Sequence, residues 1–143
     1  RQEENGLAGA KTYASGHFEE MDRHVFAVES DAGGFAPRGF TSNANDTGMQ
    51  TLRAIVDLMA DSSVSYLAPG RGGADVGPLV PSGVPVAALR THSARYFDVH
   101  HSERDRLDQV SPREIGLGAG ALASLIYVIA ELDDPLPRNP RLQ

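Results

Sequence analysis

Short apolar runs of strand length alternate with helical patterns along the chain, and that alternation restricts it to an α/β arrangement. The runs 24–30, 64–68 and 84–89 are apolar in their middles, as strands of a sheet covered on both faces are. Pro85 stands near the start of the third run, where a strand tolerates it. A first helix is expected over residues 4–21, with Leu7, Ala10, Ala14 and Phe18 at helical spacing and Gly6, Gly9 and Gly16 working against it. Residues 37–46 read as a loop rich in Gly, Asn and Ser. Asp46 or Thr47 then caps a second helix to Ala60, with Met49, Leu52, Ile55, Val56 and Met59 on one face. A short helix is expected over residues 75–80, and a polar loop carrying His100 and His101 follows the third strand.

The clearest element is the last. Ser111-Pro112-Arg113-Glu114 is a capping box with Pro at the first helical position, opening a helix to Leu132. That helix is apolar nearly all round. It is too short and too rich in Gly and Ala to favour a membrane span, so it reads as a buried core helix. Gly118-Ala119-Gly120 matches a loose dinucleotide fingerprint, but that fingerprint must follow a strand and open a helix. Here the glycines sit inside a helix already opened by Ser111, and close helix–sheet packing is the better reading. With no internal repeat, one domain portion is expected over residues 1–134, and an extended or disordered tail with three prolines over 135–143.

The net charge of −6 and the scattered basic residues, nearly all Arg, argue against a nucleic-acid partner. The chain has no cysteine, so any metal must be held by His and carboxylates. Arg1-Gln2-Glu3-Glu4 lacks the apolar stretch of a signal peptide, and the absence of an initial Met leads to the expectation of a processed or truncated chain.

Few residues invite chemistry. Asp31 stands at the C-terminal end of a buried-type strand, where α/β sheets place ligands, although an Asp there also serves as a turn or helix cap. Glu3-Glu4 alone reads as a solvated pair of charges. His100-His101 is an unusual pair in a chain with five histidines; His17, His24 and His92 show no partner pattern.

As a set these segments resemble the di-zinc exopeptidases that include bacterial leucyl aminopeptidases and plasma glutamate carboxypeptidase. Glu3-Glu4-Asn5-Gly6-Leu7-Ala8-Gly9 is similar to that family's Glu-Glu-x-Gly-Leu-x-Gly segment. Glu29-Ser30-Asp31-Ala32-Gly33, with Pro37 and Gly39-Phe40, resembles the carboxypeptidase Q-like branch. Gly73-Ala74-Asp75 and Ser82-Gly83-Val84-Pro85 resemble its Gly-x-Asp and Ala-Gly-Ile-Pro passage. Tyr96-Phe97-Asp98-Val99-His100-His101-Ser102 with Asp105 resembles its Tyr-Phe-x-x-His-His-Ser/Thr-x-x-Asp segment, Arg106 standing where relatives usually have Thr.

The resemblance implies a mixed sheet flanked by helices on both faces, here the C-terminal part of a zinc peptidase catalytic domain. It implies Glu3 as general base, Glu4 and His101 as ligands of one zinc, and Asp31 as a ligand of a second. Asp105 or Asp98 would orient a ligating histidine. The family's remaining His and bridging Asp lie upstream of the Glu-Glu segment, so this chain alone is expected to be inactive. The implied activity is hydrolysis at a peptide terminus or of dipeptides. A peptide or dipeptide is the partner, nucleic acid and membrane are not, a homo-oligomer is among the expected states, and the location is secreted or periplasmic. The alternative is a metal-free structural or interaction module on the same fold, or an inactive fragment of the peptidase.

Overall fold

A computed structural model describes residues 6–142. Strands Ala27–Glu29 (β1), Pro37–Ser42 (β2), Tyr66–Pro69 (β3) and Val86–Thr91 (β4) form one mixed sheet in the order β1-β4-β2-β3. β1 runs parallel to β4, β2 parallel to β3, and β2 antiparallel to β4. The C-terminal ends of β1 and β4 therefore share one edge with the N-terminal ends of β2 and β3.

The sheet's centre is a strand that the sequence pattern hides. Residues 37–46 were expected as a loop, yet β2 pairs on both sides and is buried at all but one position. Apolar alternation fails there because its inner polar residues carry their own partners: the buried Ser42 hydroxyl donates to Val86 O at 2.8 Å, and Thr41 donates to Arg71 O. A buried polar strand is stable when its groups are satisfied.

Helices Asp46–Leu58 (α2) and Pro112–Ala130 (α4) cover one face, where Phe40, Leu89, Leu52, Val56 and Leu125 form the main core. Asn45, rather than Asp46 or Thr47, caps α2, its side chain accepting from Gly48 N at 2.9 Å. The predicted Ser111 cap opens α4. That helix is not the fully buried rod its composition predicts. It lays Gly118, Ala121, Leu125 and Ile129 on the sheet, while Leu117, Ile126 and Tyr127 face outward. It is also the one described helix long and apolar enough to cross a membrane by length and composition.

On the other face, the segment after β3 crosses the sheet. Helix Ala8–Gly16 (α1) and the 3-10 turns Phe18–Arg23 and Gly77–Ser82 gather around Met21, Leu79 and Val84. The first helix thus stops at Gly16 instead of running to Met21. His24 precedes β1 and does have partners: its Nε2 and the Tyr13 hydroxyl are 2.8 Å apart, and its Nδ1 lies 3.0 Å from Glu20 O.

Among its described residues the tail contains no helix or strand, but it is fastened. Leu136 is buried in the main core. Arg138 donates to His24 O and Ser82 O, and Asn139 donates to Asn43 O. These carbonyls precede β1 and β4 or follow β2, so all lie at one edge of the sheet.

Candidate functional site

Asp31 stands two residues beyond β1, exposed, at the sheet edge opposite the tail. Its loop is fixed to the end of β4. The Thr91 hydroxyl donates to Ala32 O at 2.6 Å, and His92 N donates to Ala36 O at 2.9 Å. Phe35 is buried beneath the loop, with the Arg95 guanidinium 5.8 Å from its ring centre.

The histidine segment continues from β4. A single helical turn, Tyr96–Val99 (α3), replaces part of the expected polar loop. Beyond it His101 takes a left-handed backbone, φ 52°. Such a conformation is uncommon for a residue with a side chain, and His is among those that tolerate it best. Ser102 stabilises the turn, its hydroxyl donating to Val99 O at 2.7 Å and accepting from Arg104 N. The rings of Tyr96, His100 and His101 form a column, with centroids 4.5 Å and then 3.9 Å apart.

Asp31 and His101 line one cavity of about 580 Å³, together with Tyr96, His100 and Asp105. Asp31 and Tyr96 also line a second cavity of about 610 Å³, which reaches Glu29, Arg38, Tyr66 and Arg90. The two cavities lie side by side, with Asp31 and Tyr96 in the lining of both. A larger cavity, about 840 Å³, lies along the outer edge of β1 between α1 and α4. Its walls are mainly apolar, and its histidine, His24, is already engaged by Tyr13 and Glu20.

Glu29 is the site residue that sequence reasoning underrated. Its carboxylate accepts the backbone N–H groups of Ala74, Asp75 and Val76 at 3.1, 2.8 and 3.1 Å. Gly73 permits this with φ 138°, and a Cβ there would sit 2.3 Å from Glu29 Oε1. The Gly72-Gly73 pair was the visible signal, but nothing in sequence connects it to an acid more than forty residues earlier.

Of the predicted site residues, the structure brings Asp31 and His101 to one cavity, with Asp105 beside them. Glu3 and Glu4 lie outside the described residues. Among the described residues no group of three or more His, Asp or Glu side chains is close enough to hold a metal ion. The donors that share the cavity are carboxylates and imidazoles, the oxygen and nitrogen set that zinc accepts.

The sequence pattern of peptidase family M28 matches residues 1–126. Mouse carboxypeptidase Q is 29% identical over 137 residues, covering 96% of this chain and 29% of the relative. Human carboxypeptidase Q is 28% identical with the same coverage. The crystal structure of a peptidase M28 precursor from Shewanella amazonensis superposes with a TM-score of 0.86 at 32% identity, covering 94% of this chain and 31% of that one. The chain therefore spans about three-tenths of the length of these relatives.

Proposed function

The chain belongs to peptidase family M28, and from that premise we propose that it is the part of a zinc exopeptidase that contributes the general base and three of the metal-binding side chains. The observation that carries the reading is that Asp31 and His101, seventy residues apart in sequence, line one cavity at the edge of the sheet where β1 and β4 end. In α/β sheets that edge, at the carboxyl ends of parallel strands, is where ligands bind.

In this reading Glu4 and His101 hold one zinc and Asp31 a second. When bound, paired zinc ions polarise the scissile carbonyl and acidify water at the site. Glu3 would accept a proton from the attacking water and return it to the departing amine. His101 presents its ring from a backbone that few residues adopt, and the His100 and Tyr96 rings stacked behind it limit its swing. Asp105 lines the same cavity and would orient an imidazole N–H, a role that Asp98 could fill instead. The substrate is a peptide or dipeptide, cut at a terminus, and the protein acts outside the cytoplasm. An acidic chain with scattered arginines suits such a partner better than nucleic acid.

The test uses the full-length protein. Metal analysis should find zinc, chelation should abolish dipeptide hydrolysis, and zinc should restore it. His101→Ala should lower zinc content. A metal-free module on the same fold would contain no stoichiometric zinc, and its His101→Ala variant would be indistinguishable from wild type.

A further inference from the structure

The depression beside Asp31 ends in two arginines from different strands. Arg90 is the exposed residue near the end of β4, and Arg38 is the exposed residue near the start of β2. Both line the second cavity, in which Asp31 and Tyr96 also stand; those two residues border the histidine-side cavity as well. Among the described residues neither guanidinium has a hydrogen-bond or ion-pair partner.

Their convergence is built into the strand pairing. Gly39 lies opposite Arg90 and Phe40 opposite Leu89, but Pro37 lies opposite Thr91, so β2 carries one extra residue at this point. Regular alternation would put Arg38 on the face of Phe40, which is the packed core. The bulge re-aims it to the open groove, a known use of such irregularities. Gly39 makes the bulge feasible: its φ is 152°, and a Cβ there would collide with the Tyr66 carbonyl.

The groove holds two acids that could have neutralised the pair, and neither does. Glu29 is committed to three backbone N–H groups. Asp31 makes no ion pair with either arginine. Two neighbouring cations left uncompensated repel one another, and an arriving anion relieves that repulsion. Guanidinium groups suit a carboxylate in particular, because their paired donors match its two oxygens.

We propose that Arg38 and Arg90 form a substrate subsite that recognises a carboxylate, and so select peptides whose terminal or side-chain acid falls on the β2/β4 side of Asp31. The proposal deepens the exopeptidase reading and rests on it for the identity of the substrate. In it, the peptide lies along the depression with its reacting bond near Asp31 and its acid between the arginines. They are specificity residues that act on binding and take no part in proton transfer.

The test measures binding by calorimetry to the full-length protein after chelation, so that no probe is consumed. The probes are alanyl-leucine, alanyl-leucinamide, and an alanyl-glutamate amide that keeps only its side-chain acid. Wild type should bind alanyl-leucine about tenfold more tightly than its amide, the scale of one charge-assisted contact in a half-open site. In the R38Q/R90Q variant the two should bind equally, with the circular dichroism spectrum unchanged. If the side-chain acid is the one recognised, the glutamate amide will hold the advantage and alanyl-leucine will not. Equal binding of all three probes to wild type, a preference that survives in R38Q/R90Q, or no binding of any probe would overturn the proposal. Turnover by the untreated protein is scored separately: its absence counts against the peptidase reading, while the binding contrast still decides the arginine subsite.

Discussion

Glu29 Oε2 accepts the backbone N–H of Asp75 at 2.8 Å, and through that bond the end of β1 holds the segment that crosses the open face of the sheet. The same carboxylate takes the N–H groups on either side, so one side chain shapes one wall of the groove next to Asp31.

Glu29→Ala should therefore destabilise the fold by about 1–3 kcal/mol, because backbone donors lose a charged acceptor. Glu29→Gln should cost less, since one acceptor oxygen remains. Urea denaturation of the variants measures the difference, and equal stability of Glu29→Ala and wild type would contradict the role given to this carboxylate.

At Gly39 the expected effect is larger. Alanine adds a Cβ that meets the Tyr66 carbonyl, at a backbone angle that side chains rarely adopt. The β2–β3 register cannot absorb that contact without shifting, and overpacking of this kind costs about 1–3 kcal/mol or more. A thermal melt of Gly39→Ala should show a lowered midpoint. Gly116, with nothing within 4 Å of the place a Cβ would occupy, lies inside α4 and should gain slightly from alanine.

The two faces of α4 separate packing from exposure. Leu125 is 1% exposed, and Leu125→Ala should cost about 2–5 kcal/mol. Tyr127 is 67% exposed on the same helix, and Tyr127→Ser should stay within about 0.5 kcal/mol. Similar losses at both positions in chemical denaturation would mean that the outer face is packed in the protein as it exists.

For the chemistry, Glu3→Gln in the full-length protein should retain zinc and lose roughly 10²–10⁴-fold in kcat, the usual cost of removing a general base. Asp31→Asn should instead lower metal content along with activity. Steady-state kinetics with metal analysis on each variant checks both; near wild-type turnover in zinc-loaded Glu3→Gln would remove Glu3 from its role.

Where local signals agreed with the final packing, the sequence was readable. Ser111 and Pro112 announced the start of α4, and the apolar face of α2 named the residues it buries. β2 was illegible because its stability comes from partners distant in sequence, such as Val86 O for Ser42 and Arg71 O for Thr41. The site divided in the same way. Asp31 and His101 stood out through family-like motifs, whereas Glu29 and the arginine pair emerge only once strand register brings separate segments together. A bulge of one residue has no signature in a pattern of period two, so the direction of Arg38 could not be read in advance.

The fastening of the tail has a practical consequence. Arg138 grips the carbonyls of His24 and Ser82, which lead into β1 and β4, while Asp31 and the histidine segment follow those same strands at their far ends. Anchor and candidate site thus occupy opposite poles of one sheet. A reporter dye attached near Leu142 would sense whether the strands are in place without leaning on the pole that carries Asp31 and His101, which makes the tail a natural handle for watching this protein fold.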